Sequence, residues 1–223
     1  MNGHVHRSID TLLLHERALW HADYHLVAGV DEVGRGALAG PLVAAAVMLP
    51  QVSCSGDAAD TALNTIRDSK TLTPTQREAA FAVIHDRAVS IGIGIVPPAL
   101  VDQIGIAAAN RRAMEDAIME LNVTPDAVLL DAFVTDLGLP QIGLIDGDAR
   151  SLSVAAASIV AKVTRDRYMV EQDPLHAPYG FAAHKGYGVA RHLAALAKHG
   201  PCALHRRSFA PVRLCLPLAD AES

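Results

Sequence analysis

The sequence predicts an α/β fold: a mixed five-stranded sheet flanked by helices, followed by a small helical appendage at the C-terminal end. Three observations carry it. Short apolar runs alternate with longer segments of helical periodicity, an initial run of neighbouring strands interrupts that alternation, and after about Asp173 the chain turns basic and helical. The expected division is a main unit, residues 1–173, and an appendage, residues 174–223.

The elements follow in order. Leucines cluster on one face of 8-SIDTLLLHERALWHA-22, with Ser8 or Asp10 available as a cap, which predicts an opening helix. A strand is expected from Leu26 to Asp31, then a loop through Gly34, Gly36 and Gly40, then a buried strand in 42-LVAAAVML-49. Residues 50–66, rich in Ser, Asp, Gly and Ala, read as a surface connection. Thr73 is the N-cap and Pro74 the first residue of a helix over 74–90. The alternation of 91-IGIGIV-96 predicts a strand with bare glycines on one face, and 97–121 a helical segment broken near Gly105. Strands are expected at 127-AVLLD-131 and 141-QIGLI-145, and a helix from about Val154 to Val170.

With 223 residues, 51% of them hydrophobic, the chain can bury a substantial core. The run 41-PLVAAAVMLP-50 is closed by prolines and falls short of the ~18 to 20 residues of a membrane helix. The start, MNGHVHRSID, lacks the pattern of a signal peptide, and Cys54, Cys202 and Cys215 form no C-x-x-C, so a cytoplasmic protein is expected. The net charge of −5 hides an asymmetry: residues 1–149 carry 9 Lys and Arg against 19 Asp and Glu, residues 150–223 carry 10 against 5. An acidic site apposed to a basic backbone-binding surface would produce such a split.

Three acidic positions end, or closely follow, strand-like runs: Asp31 with Glu32, Asp131, and Asp148. Sites in open α/β sheets are built at the carboxyl ends of strands, so these acids can converge. Gathered carboxylates repel unless cations neutralise them, and hard divalent cations such as Mg²⁺ or Mn²⁺ prefer oxygen ligands. Adjacent residues on a strand face opposite ways, so Asp31 and Glu32 share a site only if the strand ends or bends there. The glycines of 34-GRGALAG-40 resemble a dinucleotide-binding loop, but two preceding carboxylates would repel a pyrophosphate, and Pro41 with the strand after it removes the required helix N-terminus.

The string 28-AGVDEVGRGALAGP-41 resembles the signature of ribonuclease HII, the type 2 ribonuclease H. The resemblance continues through 68-DSKTLT-73, 147-GDARSLSVAAASIVAKVTRDRYM-169, 179-YGFAAHKGYG-188 and 205-HRRSFAPV-212, in the family's order. It implies a ribonuclease H-like sheet, an appendage completing the substrate groove, and catalytic, metal-ligating carboxylates at Asp31, Glu32, Asp131 and Asp148. Asp146 and Asp166 lie nearby; Asp166, four residues after Lys162 on a helix, reads as an ion-pair partner. The family usually has glycine where this chain has Ala132. The implied activity is a two-metal (Mn²⁺ or Mg²⁺) endonuclease that cuts RNA in RNA–DNA hybrids and cuts 5′ of ribonucleotides embedded in duplex DNA, leaving 3′-hydroxyl and 5′-phosphate ends. The protein would act as a monomer. Gly34, Arg35, Gly36 and Tyr187 match the residues that read the RNA-to-DNA junction, while Lys185, Arg206 and Arg207 are candidates for backbone contact. His184, His199 and His205 read as surface or phosphate-adjacent residues, and Tyr168 and Tyr179 as packing residues. The nearest enzyme alternative is ribonuclease HIII, which usually carries an extra N-terminal domain; the ~25 residues before the first strand weigh against that expectation. A hybrid-binding module without catalysis is the non-enzyme alternative, opposed by the presence of all four acids.

Overall fold

The computed structural model describes residues 9–52 and 62–216. Five strands form one sheet: β1 (Val27–Val33), β2 (Leu42–Met48), β3 (Ser90–Val96), β4 (Ala127–Asp131) and β5 (Gln141–Leu144), in the order β3-β2-β1-β4-β5. β2 is antiparallel to β1 and β3, whereas β1, β4 and β5 run parallel. The expected mixed sheet is therefore the one observed. Among the described residues no helix is long and apolar enough to cross a membrane.

Side-chain alternation sorts the strands into two faces. Ala28, Val30, Leu42, Ala44, Ala46 and Met48 pack with Val128 and Leu130 against α4 (Pro98–Ile104) and α5 (Ile106–Met119). Val43, Ala45 and Val47 pack on the other face against α6 (Leu152–Gln172) and α3 (Pro74–Arg87), joined by Leu12 and Leu13 from the N-terminal helices. Two glycine placements set these distances. A Cβ at Gly92 or Gly94 would come 2.0 Å from the carbonyl oxygens of Ala117 or Ala113, so the bare face of β3 is where α5 lies flat. A Cβ at Gly29 would come 2.1 Å from the carbonyl carbon of Ser153, so β1 takes α6 at backbone contact.

The local signals act as expected in several places. Thr73 closes a capping box with Gln76, Pro74 begins α3, and Gly105 separates α4 from α5 at φ 80°. The opening helix is instead two pieces, α1 (Ile9–Leu12) and α2 (Leu14–His21); of the two cap candidates, Ser8 falls outside the described residues and Asp10 lies within the first turn of α1. α6 begins two residues earlier than expected because Ser151 caps it, accepting from the Val154 N–H. Glu16 of α2 reinforces that start: its buried carboxylate accepts from the Ser151 hydroxyl at 2.7 Å and the Ser153 N–H at 2.9 Å, placing negative charge at the positive end of a 21-residue helix.

After α6 the chain forms three short helices, α7 (Phe181–His184), α8 (Ala190–His199) and α9 (Ala210–Arg213). α7 and α8 border an aromatic centre in which Tyr179 stacks on Phe181 at 5.4 Å, with Met169 of α6 and Ala39 of the glycine loop packed in, while Val212 of α9 packs separately with Leu38 and Leu196.

Candidate active site

The β1–β4 ladder ends at Val30–Leu130, yet β1 keeps pairing with β2 as far as Val33–Val43. Asp31 and Glu32 thus occupy a stretch of strand whose β4 side is open. The end of the β4 pairing meets the condition for a shared site: both side chains line one hollow, although adjacent residues leave the strand on opposite faces. Asp131 ends β4 beside them, and Asp148 follows β5 in a short 3₁₀ turn, Gly147–Ala149.

Asp31, Glu32 and Asp131 line one open hollow of about 370 Å³ together with Gly34, Arg35, Gly36, Ser69, Lys70, Ser158, Lys162 and Tyr187. Asp31 is 5% exposed and accepts the Glu32 N–H at 2.7 Å. Its carboxyl is pushed well above the usual range, first by burial and then by the charges of Glu32 and Asp131, while Ser158 of α6 opposes the shift. Glu32 is raised by burial and by Asp131, with Arg35 pulling it down. Asp131 is raised by burial, offset by the Gly147 N–H it accepts at 2.7 Å, and raised further by Asp148. Asp148 is buried and receives the Lys70 ammonium at 2.8 Å. That bond, with the charges of Asp148, Asp68 and Asp31, holds Lys70 above its ordinary value.

Among the described residues no three His, Cys, Asp or Glu side chains are grouped as they would be around one ion. The donor chemistry nevertheless fits a hard divalent cation. Three carboxylates share a hollow, each destabilised by the charge of another, and one ammonium already serves the fourth. Asp31, Glu32, Asp131 and Asp148 are the residues that would hold it.

The other expected site residues divide. Arg35 is exposed and lies over the Phe133 ring at 4.7 Å, Gly36 has open space around it, and Tyr187 borders the hollow with Lys162 at 5.8 Å from its ring. Gly34 is buried at φ 91°, and the Arg165 guanidinium occupies the place of its missing side chain. Arg206 corrects the expectation of a phosphate contact: it is fully buried and donates to the carbonyl oxygens of Gly40 and Arg35. Lys185 is half-buried, its ammonium donates to the Ala182 carbonyl at the end of α7, and it faces a separate hollow that Arg77 and Arg167 also line. Arg207 is exposed and its backbone N–H donates to Asp102 at 2.8 Å. His205 is also corrected, since it is buried and bonded to His192 at 3.0 Å instead of lying on the surface. Asp146 is exposed in a left-handed conformation, and Asp166 pairs with Lys162 at 2.9 Å as its spacing implied.

Sequence reasoning passed over Ser69, Lys70, Ser158 and Arg165. Ser69 and Ser158 share a buried hydrogen bond of 2.9 Å that ties the 68–73 segment to α6 beside Asp31. A polar side chain at a core-facing position of an otherwise apolar helix is the signal that could have found Ser158.

The family model described as Ribonuclease HII matches residues 28–212. Ribonuclease HII of Geobacillus thermodenitrificans (strain NG80-2) is 50% identical over 207 residues, covering 93% of this chain and 77% of that one. Ribonuclease HII of Geobacter metallireducens (strain ATCC 53774 / DSM 7210 / GS-15) is 48% identical over 206 residues, covering 89% and 93%. Among solved structures, ribonuclease H2 from Pyrococcus horikoshii OT3 superposes with a TM-score of 0.72 at 26% identity, covering 85% of this chain and 96% of that one.

Proposed function

The chain belongs to the ribonuclease HII family and is a ribonuclease H, and on that premise we propose which phosphodiester it cuts and with which residues. It hydrolyses the RNA strand of RNA–DNA hybrids and cuts on the 5′ side of ribonucleotides embedded in duplex DNA, leaving 3′-hydroxyl and 5′-phosphate ends. The observation that supports this reading is a single hollow lined both by Asp31, Glu32 and Asp131 and by Gly34, Arg35, Gly36 and Tyr187. Chemistry and ribose recognition then share one hollow.

Asp31, Glu32, Asp131 and Asp148 hold Mg²⁺ or Mn²⁺. Two such ions would supply an activated water and a charge to steady the leaving oxygen. The exposed guanidinium of Arg35 binds phosphate, and the open backbone at Gly36 admits a sugar-phosphate strand closely. A 2′-hydroxyl both donates and accepts, so polar groups set at this loop distinguish ribose from deoxyribose, while the Tyr187 ring packs against the following sugar.

Asparagine substitution tests the ligand set. Asp148→Asn keeps the shape but removes charge, so Mg²⁺-dependent cleavage of a hybrid should fall by orders of magnitude while hybrid binding survives. Asp146→Asn should cut normally. Near-normal turnover by Asp148→Asn together with loss in Asp146→Asn would exchange their roles.

A further inference from the structure

Arg165 of α6 is fully buried, and none of its hydrogen bonds goes to a carboxylate. Its Nε donates to the Pro41 carbonyl at 2.8 Å, one terminal nitrogen to Ala39 at 3.0 Å, and the other to Lys185 at 2.9 Å. These acceptors belong to two different segments, the glycine loop and the loop that carries Tyr187. The guanidinium also lies 5.3 Å from the Tyr187 ring, and a Cβ at Gly34 would come 2.2 Å from its Nε. One planar group therefore touches both halves of the surface assigned above to reading ribose. Burying a cation is costly, and these three directional hydrogen bonds offset the cost only if the acceptors stay in place. A surface ion pair would hold nothing so firmly.

We propose that Arg165 is a positioning residue for ribose recognition: by bonding Ala39, Pro41 and Lys185 together, it sets the spacing between the Gly34–Gly36 loop and Tyr187. Arg206 completes the frame from the far side through Gly40 and Arg35, and the Leu38 N–H bonds the Gly186 carbonyl at 2.9 Å between the two loops. The inference rests on the function proposed above. Lysine cannot replace Arg165, because an ammonium has no planar fork to span acceptors on two loops.

The chain has four tyrosines, Tyr24, Tyr168, Tyr179 and Tyr187, so 3-fluorotyrosine labelling gives four fluorine resonances, with Tyr187→Phe assigning one. In Arg165→Lys the Tyr187 resonance should move and broaden while that of Tyr24 holds, reporting an intact sheet. The kcat/KM for a duplex with one ribonucleotide should fall about 10- to 100-fold, the usual effect of a reader displaced by about 1 Å, and that for a long hybrid only a few-fold. If the lysine variant does not fold, Arg165→Gln serves in the same two measurements. An unmoved Tyr187 resonance, or equal losses on both substrates, would overturn the proposal and leave Arg165 a packing residue. A parent enzyme that cuts neither substrate would instead overturn the reading of the site.

Discussion

Asp31 is a carboxylate in a place that disfavours its charge, buried and facing two others, with its folded pKa raised well above the ordinary value. A raised carboxyl contributes full stability below its unfolded pKa and loses it as pH rises through the folded pKa. At pH 7 to 8 in chelator, Asp31→Asn should therefore melt higher than the parent, since the amide oxygen can still accept the Glu32 N–H. The difference should vanish as pH falls towards 4, and added Mn²⁺ should raise the parent's Tm more than the variant's. A variant less stable than the parent at pH 8 would remove the electrostatic cost assigned to the site.

Ala132 shows the same localisation of strain one residue beyond Asp131. The family's usual glycine is absent, yet the turn forms: Ala132 adopts φ 60°, its N–H bonds the Leu144 carbonyl at 2.9 Å, and Phe133 turns back onto the Asp131 carbonyl at 2.7 Å. A left-handed alanine costs roughly 1 to 2 kcal/mol, part of which glycine returns as unfolded-state entropy. Ala132→Gly should therefore stabilise by up to about 1 kcal/mol in urea melts. Destabilisation would mean that the methyl group contributes packing that outweighs the strain. The four acids were legible because each ends or follows an apolar run. Arg165 was passed over because arginine reads as surface, although its spacing from the buried Ala161 and Met169, four residues either way, already put it on the inner face of α6.

Elements were legible where one local signal decides them, as at the Thr73 cap, the Gly105 break and the alternating β3. The appendage was legible as a helical segment but its packing was not, because its centre is polar and aromatic. The Cys202 N–H reaches His205 Nδ1 at 3.0 Å, the two Nε2 atoms of His205 and His192 meet at 3.0 Å, and His192 Nδ1 reaches the Tyr187 carbonyl at 2.9 Å. Both rings can satisfy this chain only when neutral. Burial, then His192, push His205 down to about 4 from an ordinary 6.5, and burial, then His184, lower His192. A base with a depressed folded pKa contributes stability that is full above its unfolded pKa and is lost as pH falls through the folded one. Thermal melts should show His205→Asn less stable than the parent at pH 7.5, with the gap closing between pH 6.5 and about 4. A gap constant over that window would assign His205 to packing alone.

Across the whole molecule, the charge split read from the sequence is real in number but only partly a surface. Of the cations after residue 150, Arg165 and Arg206 are buried, Lys162 pairs with Asp166, and Arg167 pairs with Glu78. Nucleic-acid binding should weaken with salt, by a log–log slope of roughly −0.9 per phosphate contact on B-form duplex. Arg35→Ala should flatten the slope by about one such contact, whereas Arg206→Ala should leave the slope and lower the Tm. A flattened slope in Arg206→Ala with an unchanged Tm would restore that arginine to the binding surface. The mixed sheet with flanking helices followed from the alternation of elements; the strand order and the way the appendage closes onto the glycine loop did not, the latter because it depends on buried arginines bonding carbonyls, which leave no periodic trace.

On the proposed function, the carboxylate hollow and the glycine loop beside it form one device, which hydrolyses a phosphodiester because it recognises a ribose. The most direct measurement is incubation of the purified protein with a DNA duplex containing a single ribonucleotide, with and without Mg²⁺, and mapping of the product ends. The expected result is Mg²⁺-dependent cleavage on the 5′ side of that ribonucleotide, giving a 3′-hydroxyl and a 5′-phosphate, with the all-DNA duplex left intact. Cleavage without divalent metal, 2′,3′-cyclic phosphate ends, or equal cutting of the all-DNA duplex would contradict it.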